Sequence, residues 1–71
     1  MKQTLYSLRI DLPRLQGKLS RKAGYEVPFD DVFGWLSDAG FTLARGARWV
    51  ANAPAVQKLE LDEILECETL S

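Results

Sequence analysis

The chain has 71 residues, 46% of them apolar or aromatic and 27% charged, the balance of one small globular domain rather than a disordered tail. Its single cysteine, Cys67, rules out an internal disulfide, and the absence of histidine removes the commonest metal ligand and the commonest general base. The formal net charge of −1 conceals a split: residues 1–25 carry six basic side chains (Lys2, Arg9, Arg14, Lys18, Arg21, Lys22) against Asp11 alone, and residues 26–71 carry three against nine acids.

No apolar run reaches the ~18 residues of a membrane span, and residues 1–5 lack the apolar stretch of a signal peptide. With one unpaired cysteine, the expected setting is a reducing cytoplasm. A chain this short buries only about 60% of its unfolded surface, so a tightly packed monomer and a homo-oligomer both remain open.

In chain order, Tyr6, Leu8, Ile10 and Leu12 alternate with polar residues, the period of a half-buried strand, and Pro13 stops a helix from running through the segment. Pro13 instead opens a helix that runs to about Ala23 and ends at Gly24, with Leu15 and Leu19 inward. From Pro28 to Ala39, Phe29, Val32, Phe33 and Leu36 fall at i, i+3, i+4 and i+7, one buried face of a second helix. Asp30 and Asp31 suit its first turn; Gly40 ends it, and Phe41 can fold back on the last turn.

Phe41–Arg45 and Arg48–Asn52 then flank Gly46-Ala47, which reads as a two-residue hairpin turn. That register sets Leu43 opposite Val50, Ala44 opposite Trp49 and Arg45 opposite Arg48, with Leu43 and Val50 facing the core. Beyond Pro54 the periodicity fails. A third strand at 56–61 and a short helix or strand near 63–68 are the expectation.

The fold class is therefore α+β: an N-terminal strand, two helices, a hairpin and a short third strand, with the helices on one face of an antiparallel sheet. The expected core is Tyr6, Leu8, Ile10, Leu15, Leu19, Phe29, Val32, Phe33, Leu36, Phe41, Leu43, Val50, Leu59 and Leu61.

Little in the chain suggests catalysis. Nucleophilic triads need a histidine, and Cys67 has no activating base beside it. Asp30-Asp31 are adjacent on a helix and diverge, whereas a general acid/base pair must converge on a cleft. The C-terminal acids match no calcium loop, and the glycines are scattered singly rather than forming a phosphate cradle. The expectation is no enzyme, no cofactor, no metal and no small-molecule substrate.

Binding signals are stronger. Arg14, Lys18, Arg21 and Lys22 share one face of the first helix, and Arg45 and Arg48 mark the hairpin tip, the rough outline of a winged helix-turn-helix on nucleic acid. A pI near 5.2 speaks against it. Trp35, Trp49 and the acids Glu60, Asp62, Glu63 and Glu66 are candidates for a protein interface. A protein-interaction module, self-associating or not, is the first expectation and a small nucleic-acid-binding regulator the second. The plainer alternative is that the two oppositely charged halves attract each other within one fold or across a dimer.

Overall fold

The computed structural model describes residues 4–70, so Lys2, counted above, lies outside the described residues. The elements are β1 (Leu5–Ile10), α1 (Leu12–Ala23), α2 (Phe29–Ala39), β2 (Thr42–Ala44), β3 (Arg48–Asn52), α3 (Ala53–Val56) and β4 (Ile64–Thr69). Two 3-10 turns, Arg45–Ala47 and Leu61–Glu63, precede β3 and β4. The strands form one antiparallel sheet in the order β2-β3-β1-β4. The fold is α+β, as the patterning requires.

Local chemistry explains most boundaries. Asp11 caps α1 by accepting from the Arg14 amide, Pro13 occupies its first turn, and Gly24 closes it at φ 81°. α2 begins after Pro28 with Asp30 and Asp31 in its first turn. At its end the Gly40 N–H donates to the Ser37 carbonyl and the Phe41 N–H to that of Leu36. That pair of bonds is a Schellman cap, with Gly40 at φ 108° and Phe41 folded into the core at 3% exposure.

The core lies between the sheet and the helices. Leu8, Ile10, Trp49 and Ala51 supply the strand side; Leu15, Val32, Leu36, Ala55 and Leu59 come from the helices and the turn after α3. On the opposite face of the sheet Ser7, Arg9, Arg48, Glu66 and Glu68 make a charged lattice. Arg9 pairs with Glu66 at 2.8 Å, and Arg48 reaches Glu66 and Glu68 at 3.5 and 3.3 Å. Arg48 also covers Ser7, donating to its Oγ at 2.7 Å. The Arg9 guanidinium is the main cause that holds the Glu66 carboxyl below the usual glutamate range.

Three expectations need correction. The hairpin loop holds three residues, Arg45–Ala47, with Gly46 at φ 71° and Ala47 at φ 58°. Thr42 therefore pairs with Val50, Leu43 with Trp49 and Ala44 with Arg48. That one-residue slip exchanges the faces of β3 relative to β2, so Val50, expected inside, turns to the charged face beside Ser7 and Trp49 joins Leu43 on the core side. Trp49 is in the core at 5% exposure, while Leu43, expected inside, is 58% exposed. The gain that favours this register is burial of the large indole beside Leu8, its partner across β1.

The expected strand at 56–61 is also absent. Asn52 caps α3 through the Ala55 amide. Glu60 and Glu63 then form a reciprocal capping box around the second 3-10 turn, and the strand comes later, at 64–69. Leu61 consequently projects into solvent at 90% exposure. Finally, Phe29 and Phe33, assigned to the core, are 43% and 41% exposed, whereas Val27, Ala51 and Ala55 are buried.

Candidate interaction surface

The charge split closes inside the molecule. Arg14 pairs with Asp62 at 3.2 Å and lies 3.8 Å from Asp11. Lys18 pairs with Glu63 at 2.8 Å, with the carboxylate side chain only 1% exposed. The Glu63 Oε1 atom also accepts from the Glu60 amide at 2.8 Å, and the Lys18 ammonium stands 5.7 Å from the centre of the Trp35 ring. Lys18 is thus the pin that joins α1, α2 and the 60–63 turn.

The basic stripe is therefore divided. Arg14 and Lys18 are held by acids from the other end of the chain. Lys22 is exposed, and a β-carbon placed on Gly17 would lie 3.5 Å from the Arg21 guanidinium, so Arg21 folds back over that glycine. Arg45 is exposed on the loop, but Arg48 lies across the sheet opposite Ala44. The two hairpin arginines do not face each other as the two-residue turn required. The hairpin itself is half of the central sheet and not a projecting wing.

Of the interface candidates, Trp49 is buried and Trp35 is packed against the core beneath Lys18. Glu63 is enclosed. Glu60, Asp62 and Glu66 are exposed, with Asp62 and Glu66 engaged by arginines. A cleft of about 420 Å³ between α1 and the 60–63 turn is lined by Asp11, Arg14, Arg21, Glu60 and Asp62. Its charges of opposite sign partly satisfy one another. Among the described residues no buried side-chain nitrogen or oxygen lacks a partner, no cluster is arranged to hold a metal ion, and no helix is long and apolar enough to cross a membrane.

The surface that stands out lies at the β2 edge and was assigned to the core by periodicity. On α2 the buried or half-buried residues are Val32, Trp35, Leu36 and Ala39. At 3.6 residues per turn, Phe29 and Phe33 sit about 70° and 110° from the midpoint of that arc. Four residues apart, they form an apolar ridge beside that arc. The Phe33 ring is 6.0 Å from that of Trp49, and Leu43 stands directly across the ladder from Trp49. Phe33 and Leu43 thus flank the same buried indole from helix and strand, each largely exposed.

The backbone beside them is open as well. The Leu70 N–H donates to the Leu5 carbonyl at 2.9 Å, so Leu5, Ser7 and Arg9 direct their polar groups toward β4 and Tyr6 and Leu8 toward β3. Carried across the sheet, the alternation turns Thr42 and Ala44 toward β3 and leaves the Leu43 N–H and C=O pointing outward. An apolar ridge and an open hydrogen-bonding edge therefore meet at Leu43. The sequence held one signal for this. The four large residues of α2 together with Trp35 span a wider arc than a small sheet can cover.

No protein-family model, curated protein or solved structure matches the chain.

Proposed function

We propose that the protein is a non-enzymatic protein-interaction module whose docking surface is the β2 edge with Phe29, Phe33 and Leu43. The observation that carries this reading is the exposure of Phe33 and Leu43 on either side of buried Trp49, beside a strand edge with an open donor and acceptor. Apolar side chains grouped at a sheet edge supply the two ingredients of strand-addition binding, main-chain hydrogen bonds and side-chain contact. Pairing of Arg14 and Lys18 with Asp62 and Glu63 weighs against nucleic acid, because those cations are already neutralised. An exposed, unpaired Cys67 suits a reducing, cytoplasmic setting.

The test is site-specific photo-cross-linking in cells, with the photoreactive residue at Leu43 and, as a control, at Lys22 on the solvent side of α1. Protein adducts concentrated at position 43 are expected. Adducts equal at both positions, or confined to position 22, overturn the reading.

A further inference from the structure

We infer that the occupant of the β2 edge is a second copy of this chain, joined through Leu43 across a two-fold axis. The inference rests on the docking surface proposed above and adds the identity of its partner.

The edge is self-complementary. An antiparallel pairing centred on Leu43 sets its outward N–H and C=O against those of Leu43 in the second copy, a closed pair of hydrogen bonds. Thr42 then lies opposite Ala44 of the second copy, so only small side chains meet on the charged face of the sheet. On the other face the two Leu43 side chains meet between the Phe33 ridges of the two α2 helices.

The charges agree with the same register. The next position sets Arg45 opposite Phe41 of the second copy, beside the C-terminal end of its α2. That end carries exposed Asp38 in its last turn, no basic residue of its own, and a single cation from elsewhere, Lys58, whose ammonium donates to the Ala39 carbonyl at 3.4 Å. A helix C-terminus with an added carboxylate attracts a cation, and Arg45 is exposed on the loop. The axis supplies this complement twice.

The other free edge excludes itself. On β4 the acids Glu66 and Glu68 alternate with outward-directed Cys67, so β4 paired with a second β4 about Cys67 would set Glu66 directly against Glu68 of the other copy. Like charges in that position are destabilising.

Sedimentation equilibrium of the full chain from about 1 µM to about 1 mM tests the inference, with Leu43→Lys, Arg45→Glu and the swap Arg45→Glu/Asp38→Lys. The expected result is a dimer whose dissociation constant rises roughly tenfold or more in Leu43→Lys and in Arg45→Glu and recovers in the swap. Because Leu43 and Arg45 are both exposed, circular dichroism is expected to show the native fold in each variant. Should Leu43→Lys fail to fold, the loop-borne Arg45 pair carries the test. A wild-type monomer throughout overturns the second copy as partner, while the docking surface is judged separately by cross-linking at position 43. A wild-type dimer that all the variants leave unchanged overturns the two-fold at Leu43 and points to another face.

Discussion

Ala47 is the sole non-glycine residue with positive φ among the described residues, at 58°. A β-carbon in the left-handed region costs about 1–2 kcal/mol, from which the greater freedom of an unfolded glycine subtracts. Ala47→Gly is expected to raise stability by about 0.5–1 kcal/mol, readable as a rise of a few degrees in Tm. An unchanged or lower Tm would mean that the three-residue loop is misplaced. Lys18 is the opposite case. Its partner Glu63 is enclosed, so Lys18→Met leaves a buried carboxylate without its cation and is expected to cost about 3 kcal/mol in denaturant unfolding. Arg14→Ala removes an ion pair whose side chains are each 57% exposed, and is expected to cost under about 1 kcal/mol. Equal costs for the two would deny Lys18 its role as a pin.

The two long helices, where boundary residues and an apolar period agree, were legible in the sequence; one-turn helices and elements held by distant partners were not. α1 and α2 announce themselves through Pro13, Gly24, Pro28 and Gly40, because helix boundaries are set by local chemistry. The β2–β3 register depends on whether Trp49 or Val50 enters the core, a competition decided by Leu8 and Phe33, 41 and 16 residues before Trp49. β4 follows the same logic. In its run Ile64–Thr69, Leu65 and Cys67 alternate with Glu66 and Glu68, but the alternation breaks at Ile64-Leu65, and the acids take their places from Arg9 and Arg48 on other strands. That lattice gives β4 a pH dependence. The native Glu66 carboxyl titrates below its unfolded counterpart, so its contribution is present above the unfolded value and is lost as pH falls through the native one. Glu66→Gln is expected to flatten the acid limb of a stability–pH profile and leave the slope at neutral pH unchanged. A limb of undiminished steepness would contradict the assignment.

For the whole molecule, the sequence showed a basic N-terminal third and an acidic remainder, and the fold brings them together: Arg9, Arg14 and Lys18 each meet an acid from the last twelve residues. This was the plainest of the readings open at the outset. It redirects the candidate site, because Arg14, Lys18 and Arg48, half of the cations first picked for nucleic acid, are held by acids. Four apolar residues first picked for the core, Phe29, Phe33, Leu43 and Leu61, are left outside. Periodicity marks the apolar side of an element but not how far the opposing layer extends, and a four-stranded sheet with a three-residue edge strand is too narrow to cover α2.

Amide hydrogen exchange at Leu43, followed by NMR across a dilution series, reads both the open β2 edge and its occupation by a second copy. Leu43 is expected to exchange fast in dilute protein while its neighbours Thr42 and Ala44, bonded to β3, stay protected, and to become protected as concentration rises. Exchange at Leu43 that is slow in dilute protein, or fast at every concentration, would contradict the proposed pairing.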